Sequence, residues 1–186
     1  MTAAMQLDLA AITAPAAGFF ETDTAAANAL LTCWGHYLGP SDRPFGSQAW
    51  RLDVGGEPVS VAISASTVSA TVGGYARRQV VELARLCTRP GEQWATRVTL
   101  RLWRQVGAPA WPYWDVAAAV AYSDNKRHPG HIYRTDGWRR LTDRAGAPSG
   151  PNATWSKQRA EGHPARGRKS LWLWQYDTPT IKEVQR

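Results

Sequence analysis

The chain has 186 residues, 44% of them hydrophobic; that is the size of one domain with enough apolar side chain for a sizeable core, so disorder is excluded as the default. Lys and Arg outnumber Asp and Glu by 22 to 15, a net charge of +7, and a balance this basic points to a polyanionic partner. The excess is concentrated: 13 Lys/Arg face 5 Asp/Glu from Lys126 onward, against 9 and 10 before it.

Ten tryptophans suit a flat apolar face that also offers an N–H donor, in a core, an interface or a base-stacking site alike. Cys33 and Cys87 lie in apolar surroundings, far apart and outside any CxxC pair, so reduced, buried thiols are expected. The first twenty residues have no basic n-region, and no run reaches the length of a membrane span; the expectation is a cytoplasmic protein with no membrane partner.

Residues 1–22 are rich in Ala and Thr without clean periodicity and read as a lead-in to a domain over 23–186. Thr24 is placed to cap a helix through AAANALLTCW, which Gly35 ends, leaving His36 and Tyr37 just beyond it. SQAWRLDVGGEPVSVAISAS reads as two strands joined at Gly55–Gly56. After a loop containing Gly73–Gly74, QVVELARLCT reads as a strand carrying Glu82 and Arg85. Three apart on a regular strand, these two fall on opposite faces. The next segment, EQWATRVTLRLWRQV, places Trp94, Val98, Leu102 and Val106 on one face of an amphipathic helix. DVAAAVAYS is a continuous apolar run suited to a strand covered on both faces, and it stops at Asp124. A polar loop follows, then a short helix over HIYRTD and a turn at Gly137 into another strand. Thr142–Arg168 reads as a long mobile basic loop, and KSLWLWQYD as the strand that closes the sheet. The fold class is therefore α/β, a single domain with a mixed central sheet flanked by helices.

That order resembles the GNAT acyltransferase fold. Three segments also resemble the bacteriophage Mom proteins, GNAT-like enzymes that modify adenine in DNA. WGHYLG carries the His-Tyr pair His36 and Tyr37. VELARLCTRPGEQWATR is similar to a Glu-Leu-x-Arg-Leu strand and a following Ser-Arg, here Glu82, Leu83, Arg85, Leu86 and Thr96-Arg97. AYSDNKRHPGHIYRTDGW places Asp124, His128, Gly130, Tyr133 and Trp138 in register with the third motif. Arg134, Thr135 and Gly137 depart from it, and the turn TRPGEQWAT has one glycine where acetyl-CoA enzymes of the GNAT type carry a richer pyrophosphate loop.

The resemblance implies transfer of a small acyl-derived, carbamoylmethyl-like group to the exocyclic amine of adenine in DNA, in a bacterial host. It implies Asp124, His36, Tyr37 and Tyr133 as the catalytic set, and Thr96, Arg97 and Arg85 as contacts to an acyl-CoA. From the residues themselves, Asp124 is an acid/base at a strand end or the cap of the next turn. His36 and Tyr37 are a base and a phenol donor, or with Asp124 and His128 a nitrogen and oxygen set for a metal such as iron. Arg139, Arg140, Trp155, Lys157, Arg159, Arg166, Arg168 and Lys169 suit phosphate contacts and base stacking on DNA. The rival readings are an acyltransferase acting on an amine of a protein or small molecule, and a DNA-binding protein without catalysis.

Overall fold

A computed structural model describes residues 16–43, 46–145 and 167–176. Seven strands form one sheet in the order β1-β2-β3-β6-β7-β9-β8, with a two-stranded ribbon, β4-β5, beside it. β1 (Ala17–Thr22) pairs antiparallel with β2 (Ser47–Val54), β2 with β3 (Glu57–Ala65), and β3 with β6 (Val80–Thr88). β6 runs parallel to β7 (Ala118–Asp124), which pairs antiparallel with β9 (Lys169–Gln175), and β8 (Arg139–Ala145) forms the far edge. Mixed pairing around a parallel centre flanked by helices is the expected α/β class.

Alternation divides the sheet into two faces. One face carries Val61, Ile63, Val80, Val120, Leu171 and Leu173, with α1 (Thr24–Cys33) packed through Ala27 and Leu31. The other carries Trp50, Ala62, Val81, Leu83, Ala119, Ala121 and Trp172 under α2 (Trp94–Leu102), a π turn at Trp103–Gly107, and α3 (His131–Thr135). A parallel β6–β7 pair requires a crossover, and α2 with its π turn supplies it. β4 (Thr71–Val72) and β5 (Tyr75–Ala76) turn at Gly73–Gly74, a ribbon inside what the sequence suggests is loop.

Several expectations are corrected. Ala17–Thr22 is an edge strand of the sheet and not lead-in, with Phe19 stacked on Trp50 at 5.2 Å; residues 1–15 lie outside the described residues. The N-cap of α1 is Asp23, whose Oδ2 accepts the Ala26 N–H at 3.1 Å, not Thr24. Cys33 is exposed and Cys87 half-buried, both free thiols, so neither is the buried core cysteine expected. β9 does not close the sheet but lies between β7 and β8. The loop read from Thr142 begins later, because Thr142–Ala145 complete β8; residues 146–166 are outside the described residues.

The buried face of α2 is also rotated from the expected one. Trp94, Val98 and Val106 are 51%, 40% and 47% exposed, while Ala95, Thr99, Leu100 and Trp103 are buried. Small side chains at 95 and 99 let the helix backbone approach the sheet, and Trp103 then reaches across to donate Nε1–H to Ser64 Oγ at 2.8 Å. Close approach and a satisfied indole outweigh the larger apolar stripe.

Candidate active site

The site follows from one irregularity in β6. Ser64 pairs with Leu83 but Ile63 pairs with Arg85, so Ala84 is an extra residue, a bulge. On the other side, the β6–β7 ladder stops at Leu83 and Ala121. Beyond that point the two strands part, and the backbone edge of β6 that faces β7 has no strand opposite it. A cleft of about 740 Å³ opens there. Its walls are Leu83–Thr88 of β6, Tyr122 and Ser123 of β7, Trp34–Leu38 after α1, Thr96 of α2, and the 127–133 segment that includes the start of α3.

The bulge also corrects the expected disposition of Glu82 and Arg85. An extra residue between them restores both to one face. Both bind the same loop: Glu82 Oε1 accepts from Arg43 at 2.7 Å, and Arg85 donates to the carbonyls of Gly39 at 2.9 Å and Pro40 at 3.0 Å. Burial raises Glu82 above the usual carboxylate range, against the pull of Arg43, Lys169 and Arg85.

His36 is set by the end of α1, where Gly35 takes φ 66° and the His36 N–H bonds to Leu31 O at 2.9 Å. Its Nδ1 accepts the Leu38 N–H at 3.3 Å, which places the proton of the neutral ring on Nε2. Burial, reinforced by Arg85 and then His128, brings its pKa down to about 4, so the ring is neutral at physiological pH. The Tyr37 ring lies 5.1 Å from that of His36 and 5.7 Å from that of His128, with the Arg127 guanidinium 5.1 Å above it. Burial raises the Tyr37 phenol, Asp124 adding to the effect and Arg85 and Arg127 opposing it. Tyr122 is pushed up to about 12 by burial with Glu82 adding, and burial raises Tyr133 further still. Three phenols that line the cleft thus stay protonated.

Asp124 is present at the strand end but turned to a local task. Its Oδ1 accepts the Lys126 N–H at 2.9 Å, its carbonyl accepts from His128 N at 2.7 Å, and Arg127 Nε lies 3.8 Å from Oδ2. It caps the turn that carries Arg127 and His128 into the cleft and stands behind the wall rather than in it. Tyr133 is buried at the cleft, stacked on Trp172 at 5.7 Å. Among the described residues no group of three His, Cys, Asp or Glu is gathered to hold a metal, so His36, Asp124 and His128 do not form the ligand set considered from sequence.

Thr96 Oγ1 lies 3.2 Å from Thr88 Oγ1 in the cleft wall. Arg97 is exposed and is not part of that wall. Arg139 and Arg140 are exposed on edge strand β8 and Arg168 is exposed before β9, all outside the cleft lining; Lys169 begins β9 opposite Asp124. Trp155, Lys157, Arg159 and Arg166 lie outside the described residues. Sequence reasoning missed Tyr122 and Arg127. Period-two alternation from Asp124 singles out Tyr122, and the polar run after that strand end contains Arg127.

No protein-family model and no curated protein sequence matches the chain. Solved structures do. A protein from Salmonella typhimurium described as an acetyltransferase, solved with its cofactor acetyl-CoA, matches with TM-score 0.54 at 13% identity over 91% of this chain and 99% of that one. A protein from Chromobacterium violaceum classed in the GNAT family of acetyltransferases matches with TM-score 0.53 at 11% identity, over 86% and 87%. The Campylobacter jejuni N-acetyltransferase PseH matches with TM-score 0.51 at 8% identity, over 88% and 100%. Identities this low establish a shared architecture, and the chain has the GNAT fold.

Proposed function

We propose that the protein is an N-acyltransferase that moves an acyl group from a CoA thioester to an amine of a small molecule or protein. The observation that carries this reading is the parting of β6 and β7 after Leu83, which opens a phenol- and cation-lined cleft at the centre of a GNAT-fold sheet.

The chain's own groups fit such a donor. Past Ala84, whose carbonyl accepts from Arg85 at 2.8 Å, the free edge of β6 offers backbone donors and acceptors of the kind an amide-containing arm pairs with. At the far end of β6, where α2 begins, the Thr88 and Thr96 hydroxyls and the positive end of the helix suit the phosphates. When bound, the thioester supplies the carbonyl carbon to which the amine nitrogen bonds as the C–S bond breaks. Tyr37, Tyr122 and Tyr133, held in the phenol form, can give the departing sulfur its proton, and the proton that the amine nitrogen gives up restores the phenol. Neutral His36 presents Nε2–H as a hydrogen-bond donor. No step requires a metal ligand set.

Calorimetry with acetyl-CoA tests the donor, and thiol release with a panel of amines tests the transfer. Micromolar binding and an acetylated product by mass spectrometry are expected; a protein that binds no acyl-CoA refutes the proposal.

A second reading takes the acceptor to be the adenine amine of DNA. The exposed Arg139, Arg140 and Arg144 on β8 favour it, as cations suited to phosphate contacts. Mass spectrometry of nucleosides from cells expressing the protein decides it, since a new adenosine-derived mass is required.

A further inference from the structure

The charges that line the cleft are of one sign. Arg85 and Arg127 face it beside the neutral His36, and among the described residues no Asp or Glu belongs to its lining. Two carboxylates adjoining the lining stand behind the wall and are engaged there: Glu82 is 5% exposed and paired with Arg43, and Asp124 is 8% exposed, capping its turn beside Arg127. Arg85 and Arg127 both line the cleft at the His36–Tyr37 end, away from the Thr88–Thr96 end assigned to the donor phosphates. The downward shift of His36 reports the same field, since Arg85 adds to burial in disfavouring a second positive charge there.

A cleft of this sign repels an ammonium and attracts an anion. A lysine side chain or polyamine would have to enter as a cation among cations, with no carboxylate in the lining to receive it. An amine attached to an anionic molecule has its charge compensated on arrival, and Arg127 supplies charge-assisted donors for the anionic group.

We propose that the acceptor is a small amine bearing a phosphate or carboxylate, whose anionic group is held by Arg127 at the His36–Tyr37 end of the cleft, in the field of Arg85, whose own guanidinium donates to the Gly39, Ala84 and Pro40 carbonyls. This rests on the acyltransferase reading for the word acceptor, but the anion site itself is independent of it.

The test uses matched pairs that differ only in the anion: glucosamine 6-phosphate with glucosamine, phosphoethanolamine with ethanolamine, and glycine with glycinamide. Each is titrated calorimetrically into the full chain with CoA present, so that the donor's own phosphate site is filled, and spermidine serves as the cationic probe. In at least one pair the anionic member should bind roughly tenfold tighter than its partner. The phosphate and carboxylate pairs show which anion is preferred. Arg127→Gln should reduce that preference severalfold, whereas Arg78→Gln, an exposed charge outside the cleft lining, should not. Equal affinity within every pair, or tightest binding of spermidine, overturns the proposal. A preference that Arg127→Gln leaves intact also overturns it, because the anion then binds elsewhere. If CoA itself fails to bind, the titrations are run without it: the donor reading falls, while the anion site still stands or falls on the Arg127 comparison.

Discussion

Gly130 should be the least replaceable glycine of the site. It takes φ 76° at the start of α3, and a Cβ there would lie 2.3 to 2.6 Å from three atoms of the Trp172 indole. That ring cannot easily yield. It is 4% exposed, donates Nε1–H to Ser123 Oγ at 2.9 Å, and stacks on Tyr133. Gly130→Ala therefore combines a left-handed backbone penalty of about 1 kcal/mol with an overpacking cost of about 1–3 kcal/mol. A loss of about 2–4 kcal/mol corresponds to a fall in Tm of roughly 5–15 °C for a chain of this size. Gly91→Ala is the control, because Gly91 has φ 93° but no atom within 4 Å of an added Cβ; it should lose only the backbone share, about 1 kcal/mol. Urea denaturation of both variants separates the two contributions. If Gly130→Ala is no more destabilising than Gly91→Ala, the contact with Trp172 is not a constraint and the reasoning fails.

Asp136 is held below the usual carboxylate range: burial pushes it up, but hydrogen bonds from Arg104, Trp138 and Arg101 outweigh that. Asp136→Asn should cost about 2–3 kcal/mol at neutral pH. The contribution is present above about pH 4 and lost as pH falls through the lowered folded value, so the variant's acid unfolding curve should be flatter. His36 behaves oppositely in cause but alike in sense: its folded value of about 4 lies below the unfolded 6.5, so the unfolded chain takes up the proton first. Stability should fall as pH drops from 6.5 to 4, and His36→Gln should remove that loss in a pH series of denaturation curves. The same variant tests the donor role, because Gln keeps a side-chain N–H where Ala does not; kcat retained by Gln and lost in His36→Ala is expected, and equal loss in both would indicate a base. Arg43→Ala should cost about 2–3 kcal/mol by leaving Glu82 buried without that partner, with part restored by adding Glu82→Gln in a double-mutant cycle.

What was legible in the sequence is what local pattern dictates. Gly55–Gly56 forces the β2–β3 turn, the unbroken apolar run of β7 marks a strand covered on both faces, and the apolar spacing after β6 marks the helix α2. What was not legible depends on partners distant in sequence. Phe19 belongs to a strand only because Trp50 and the β2 edge await it. The rotation of α2 was set by Ser64, 39 positions away from Trp103, which gives the indole a partner that no count of apolar residues foresees. The insertion of β9 between β7 and β8 likewise leaves no local mark, since an alternating strand reads the same at an edge and one place in from it.

The cleft itself turns on a single pairing defect. A strand with regular alternation would send Glu82 and Arg85 to opposite faces, and the sequence contains nothing at Ala84 to say otherwise. Once Ala84 is extra, Arg85 moves to the face of Glu82, the loop at 39–43 is drawn to both, and His36 and Tyr37 are carried with that loop to the opening between β6 and β7. The same opening leaves Asp124 at a strand end with the following turn to cap, and its carboxylate and carbonyl fix Arg127 and His128 there. The residues that the motifs brought forward are therefore mostly at the site, but the bulge assigns their roles: phenols and a neutral imidazole face the cleft, and the carboxylates work from behind it.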